Sequence, residues 1–217
     1  MDSAKEWFAY ALVGFFVGTV AFFMILLEEA LLEETMHLTE HLIKNGQDIN
    51  AWLTYGGLCA LFGLIAGVMT TYYGPGASGS GVAEMIGYLN GVNYPKFICI
   101  PSLLTKIIGV SFAVSGRLCV GKEGPLAHIG SVIGNCVIYL PGLGFEHLRN
   151  DENKRIFIAA GASTGVAAAF GAPIGGALFC YELSQPNTFW KFKMIWKVFL
   201  SCSLGTFVLA VWQGVYH

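Results

Sequence analysis

Charge is scarce in this chain. Lys, Arg, Asp and Glu make up 12% of its 217 residues, against about 25% in soluble domains. With a mean hydropathy of +0.61, that shortage excludes a soluble globular domain and implies an integral membrane protein. The net charge is only −2, so no basic footprint for nucleic acid is expected. Paired cysteines are lacking too. The six cysteines, at 59, 99, 119, 136, 180 and 202, fall in or beside apolar segments and show no CxxC spacing. Buried free thiols are the expectation, and a disulfide framework or zinc site is not. Nor is there a positive flank before the first apolar run. Asp2, Lys5 and Glu6 precede residues 7–27, which read as a membrane span of the ~20 residues a crossing needs and not as a signal peptide.

What is present is organised around Gly121-Lys122-Glu123-Gly124-Pro125-Leu126-Ala127-His128. One apolar run, 97–114, leads into it and another, 126–140, follows. Adjacent charges between membrane-grade segments are expensive and mark a pathway or a site. The glycines permit a sharp turn, and Pro125 suits the first turn of a helix. The stretch predicts a break in the membrane-embedded chain followed by a new helix. Its first N–H groups then form an anion site made of backbone.

Along the chain, residues 7–27 are the first span, with Gly14 and Gly18 forming a face that lets another helix come close. Residues 28–50, with Glu28, Glu29, Glu33, Glu34, Glu40 and Asp48, read as a helical extension and loop in the interface or water. His37 and His41 lack the order of a metal-binding HExxH. Residues 51–71 are a second span, broken at 74–81, and 82–89 are too short to cross. Pro101 is expected to interrupt 97–114, which carries Lys106 deep inside. A polar loop at 141–154 precedes the small-residue run 155–169. Phe170-Gly171-Ala172-Pro173 ends that run, 174–183 is short, and 192–212 is the last span, with Lys191, Lys193 and Lys197 at its start. The loops show no clean positive-inside alternation. The expectation is an all-α, polytopic membrane bundle of about eight tilted and broken helices around an embedded site.

Two motifs fail on context. Gly74-Pro75-Gly76-Ala77-Ser78-Gly79 spells GxGxxG but lies between membrane segments, not between a strand and a crossover helix. Gly116 to Lys122 spells most of a P-loop, but Glu123 stands where Ser or Thr should hold magnesium. A third reading joins both glycine breaks. Gly79, Ser80 and Gly81 offer N–H groups and a hydroxyl at one helix start; Gly121, Lys122, Gly124 and Pro125 frame another. Two helix N-termini converging on one point hold a small anion without a full positive charge, which lets an ion leave as well as enter. Glu123 then competes for the anion's place, as a gate or a proton carrier. For Gly161, Gly165, Gly171, Gly175 and Gly176, helix packing suffices. No nucleophile–base or metal cluster surrounds Glu123, so no enzyme is expected, and His128 reads as a packed, hydrogen-bonded residue.

These motifs resemble the CLC family of chloride channels and chloride/proton exchangers. Gly121-Lys122-Glu123-Gly124-Pro125, with His128, resembles its GKEGP signature, and Gly79-Ser80-Gly81-Val82 its GSGIP signature. Residues 161–182, containing AAAFGAPIGGALF, resemble the segment that follows, and Asn90-Gly91-Val92 and 151–155 look most like the endolysosomal branch. The resemblance implies that residues 1–217 are the N-terminal half of an inverted-repeat transmembrane domain. The second half and the cytosolic nucleotide-binding domains are then missing. It further implies Ser80 on the central chloride, Glu123 as the gate, backbone N–H groups around 122–124 at the outer sites, no cofactor beyond chloride as substrate, a homodimer in the full-length form, and an endosomal or lysosomal membrane, with the plasma membrane as the other option. Ala83 departs from the GSGIP proline. Leu183 stands where exchangers of that branch have a second acid after the one matched by Glu182, the remaining candidate inner acid. A chloride channel is therefore expected. The alternatives are a chloride/proton antiporter and a non-conducting half-length protein that associates with CLC subunits.

Overall fold

The computed structural model describes residues 2–184 and 192–216; Lys191 lies outside them. Among these, eight α-helices and no strands are present. α1, Asp2–Lys44, runs uninterrupted for 43 residues. The acidic stretch from Glu28 therefore continues the first span as helix up to Lys44. α2, Asp48–Val68, passes through a π turn, Met69–Tyr73, and a 3₁₀ turn, Pro75–Ala77, into the short α3, Val82–Leu89. α4, Ile100–Ser115, has Pro101 in its first turn. Proline there lacks only an N–H that has no intrahelical partner, so Pro101 starts the helix and does not interrupt a span.

α5 covers Glu123–Ile138 and α6 Asp151–Phe170. α6 begins inside the expected polar loop because the Asn150 side chain caps it, accepting from the Asn153 N–H at 2.8 Å. α7, Pro173–Ser184, and α8, Met194–Tyr216, complete the chain. Among the described residues, three helices are long and apolar enough to cross a membrane, over Ala4–Lys44, Asp48–Tyr73 and Met194–Tyr216. α3 has 8 residues and α7 has 12, well short of the ~20 of a crossing.

The core is built on close backbone approach. α5 and α6 meet along a glycine seam. A methyl group on Gly130 would strike the Gly161 carbonyl, one on Gly161 the Gly130 carbonyl, and one on Gly165 the Leu126 carbonyl. α1 meets α8 the same way: a methyl on Gly14 would lie 2.6 Å from the Ser201 carbonyl oxygen, and Gly18 faces Gly205. Lipid gives helices no hydrophobic reason to associate, so tight van der Waals contact does that work. Glu6 and Lys197 form an ion pair across α1 and α8, and Tyr10 stacks on Phe157 of α6 at 4.6 Å. The packing expectation holds for Gly161, Gly165 and Gly176, which lies against the Ser163 carbonyl. It does not hold for Gly171 or Gly175. Gly171 is the left-handed cap of α6, and Gly175 has only Ala172 within contact range. Of the thiols, Cys180 and Cys202 are buried but Cys119 is exposed. The six are free, yet not uniformly buried as expected.

Candidate functional site

The two glycine breaks meet at the first turns of α5. Gly81 caps α3 with φ +83°, a left-handed conformation that glycine adopts without steric cost. A methyl there would press on the His128 ring at 2.7 Å from Nδ1, so Gly81 also lets α3 start directly against α5. Ser80 reaches the other break: its Cβ lies 2.7 Å from where a Cβ on Gly124 would stand. The Ser80 hydroxyl accepts the Val82 N–H at 3.3 Å. That bond uses a lone pair and leaves the O–H free to donate.

One cleft of about 480 Å³ runs along both breaks. Gly79, Ser80, Gly121 and Pro125 line it, together with Thr105 and Lys106 of α4. Lys106 is 1% exposed. Its ammonium donates to the carbonyls of Ala77 at 3.0 Å and Gly79 at 2.8 Å, fixing the first break on α4. Burial of a lysine deep in a membrane helix demands such partners.

Glu123 opens α5, with Lys122 as its N-cap. Its carboxylate folds back over Gly121, where it would collide with any side chain. Glu123 and Gly124 are half-buried, and the Glu123 carboxylate is not among the groups lining the cleft. The Lys122 side chain turns the other way, donating to Glu28 Oε2 of α1 at 2.9 Å. Glu28 is 3% exposed, contrary to its expected place in water or interface. Lys122 thus brings its backbone, and not a free ammonium, to the break. His128 is packed as expected, its Nε2 3.1 Å from the Phe97 carbonyl and its ring stacked on Phe97 at 4.0 Å.

Glu182 does not join this cluster. It is exposed and lines a separate cavity of about 410 Å³ with Val166, Phe170 and Phe179. Leu183 beside it is buried. Sequence reasoning missed the Glu28–Lys122 pair and the carbonyl partners of Lys106. For Lys106 the signal was present, as a lone charge in the middle of an apolar run; for Glu28, one acid among six, it was not.

A helical fold with membrane-length helices and two glycine breaks facing one cleft defines a membrane protein of the broken-helix class. Comparison with known proteins gives the family. The profile described as voltage gated chloride channel matches residues 62–217. Chloride channel protein C of Dictyostelium discoideum is 38% identical over 93% of this chain and 27% of its own length. H(+)/Cl(−) exchange transporter 7 of Homo sapiens is 35% identical over 98% of this chain and 28% of its own. A eukaryotic CLC transporter crystal structure superimposes with a TM-score of 0.86 at 26% identity, covering 97% of this chain and 39% of that one. A slow cyanobacterial Cl−/H+ antiporter shares the fold at a TM-score of 0.80 and 24% identity, over 97% of this chain and 47% of that one. The chain belongs to the CLC, voltage-gated chloride channel family, and its all-α fold is that of a partial-length CLC membrane domain. It spans little more than a quarter of the length of these curated relatives.

Proposed function

We propose that residues 1–217 form the N-terminal repeat of a CLC-type chloride channel, with Glu123 as its gate and Ser80 and the backbone of residues 79–81 and 121–125 as its anion-binding elements. The observation that carries this reading is the contact of Ser80 with Gly124, which joins two helix starts along one cleft. Helix N-termini favour an anion through aligned N–H groups without holding it as tightly as a full charge would. Glu123 supplies the competing negative charge. In this reading the full-length protein is a homodimer in an endosomal or lysosomal membrane, and needs no cofactor.

The test is Glu123→Ala in the full-length protein under voltage clamp. Open probability should rise and dependence on external pH should vanish. Glu123→Gln should resemble the protonated state, because it keeps shape and removes charge. Unchanged current with an unchanged pH response would refute the gate.

A second reading is a chloride/proton exchanger. It is favoured by the likeness to proteins named as such exchangers. The buried Leu183 and the separate cavity of Glu182 favour the channel.

A further inference from the structure

Lys122 has a partner that the chloride-channel reading leaves without a task. Glu28 lies 94 residues earlier, on α1, and is not part of either glycine break. Its side chain is 4% exposed, while that of Lys122 is 33% exposed. Only one of its oxygens is engaged: Oε2 takes the Lys122 ammonium, and Oε1 is buried without a hydrogen-bond partner among the described residues. The backbone at the same position is also held, with the Ser115 hydroxyl of α4 donating to the Glu28 carbonyl at 3.4 Å. Glu28 therefore connects α1, the end of α4 and the N-cap of α5.

A carboxylate chosen for stability alone would have both oxygens satisfied or would be replaced by an apolar residue. Buried ion pairs are often neutral or unfavourable beside well-packed hydrophobic groups, and an orphaned oxygen adds to that cost. What the pair does achieve is electrostatic. Lys122 is the N-cap of α5, one residue before Glu123, so its charge adds to the positive end of the helix. Glu28 opposes that charge at 2.9 Å, and Lys122 lines a third cavity, of about 380 Å³, with Leu126, Thr206 and Gln213. This cavity shares none of its lining residues with the cleft along the glycine breaks.

We propose that Glu28 is a positioning residue for anion binding: by holding Lys122 away from the cleft and opposing its charge, it sets how tightly the α5 N-terminus holds chloride. The proposal rests on the chloride-transport reading above. Removing the carboxylate leaves an uncompensated cation beside the helix start. Chloride then binds more tightly and leaves more slowly, so affinity and maximal flux move apart. Removing the lysine instead weakens binding. Removing both restores the original balance.

The experiment measures chloride flux against chloride concentration for the full-length protein in liposomes, normalised to folded protein recovered from size-exclusion chromatography. Glu28→Gln should lower the half-saturating chloride concentration by about threefold or more, with a lower maximal flux. Lys122→Met should raise it by a similar factor, and the double variant should return near the wild-type value. Glu28→Asp, which keeps the charge, should stay close to wild type. Half-saturation unchanged in Glu28→Gln, or both single variants shifted in one direction, would overturn the proposal and leave the pair a brace between α1 and α5. Should Glu28→Gln fail to fold, Lys122→Arg against Lys122→Met decides: Arg retains wild-type half-saturation if charge matters, and equal shifts in the two refute it. A wild-type protein that carries no chloride would refute the transport reading itself, a result distinct from any of these.

Discussion

Ser80 is a small residue with an oxygen and a proton to place. Its oxygen accepts from Val82 N–H at the start of the short α3, and in the proposed reading its proton is left to donate to an anion. Ser80→Ala removes both. A hydrogen bond to a charged partner contributes about 1.5–3 kcal/mol, roughly ten- to a hundredfold in affinity. The half-saturating chloride concentration of the full-length protein should rise by that order, as read from the chloride dependence of flux. A Ser80→Ala protein with unaltered chloride dependence would remove Ser80 from the site. The meeting of Ser80 with the break at 121–125 was legible in the sequence because glycines and one acid stood together in an apolar setting. The partner of Lys122 was not, because Glu28 is 94 residues away and sits among five other acids in an apparently solvated stretch.

At the scale of elements, the seam between α5 and α6 decides where the site stands. Gly161 and Gly130 each face the other's carbonyl oxygen, and backbone cannot yield as a flexible side chain can. Gly161→Ala should separate the two helices, with a cost of about 1–3 kcal/mol and a displaced α5 N-terminus. Gly56→Ala is the matched control, since nothing lies within 4 Å of that position and alanine is the better helix former by about 1 kcal/mol. Melting of the detergent-solubilised protein should therefore fall for Gly161→Ala and hold or rise for Gly56→Ala; equal melting for both would mean the seam opens without penalty. The boundaries of α3 and the Gly14–Gly18 contact could be read from spacing. The start of α4 could not, because Pro101 breaks a helix interior but favours a helix start, and only the preceding fold of the chain distinguishes them.

Across the whole molecule, the two acids stand apart. Glu123 opens α5, while Glu182 lies exposed on α7 in another cavity. Proton transfer through a membrane needs a chain of titratable groups, and the buried neighbour of Glu182 is a leucine. In proteoliposomes, a chloride gradient should drive little or no uphill proton uptake by the complete protein. Uptake that survives Glu182→Gln would show a relay through another acid, and uptake lost in that variant would make Glu182 its inner end. Membrane class and broken helices followed from composition and glycine spacing. The exposure of α2 did not: only 6% of its apolar window is buried, although its glycine pattern matches that of the tightly packed α1. A helix face that spacing marks as close-fitting still depends on a partner being there.

The position of Lys106 has one more consequence. A peptide unit is planar and trans, so its C=O and N–H vectors are antiparallel. By drawing the Ala77 and Gly79 oxygens to its ammonium, Lys106 turns the N–H groups of Ser78 and Ser80 to the opposite side, where that of Ser78 donates to the Pro75 carbonyl at 3.4 Å. Rotation of the Gly79–Ser80 plane by half a turn would present oxygen where nitrogen now faces. In the proposed anion site, discrimination between ions of opposite sign at the first break would hang on the orientation of that amide plane, which one lysine on a neighbouring helix keeps from flipping.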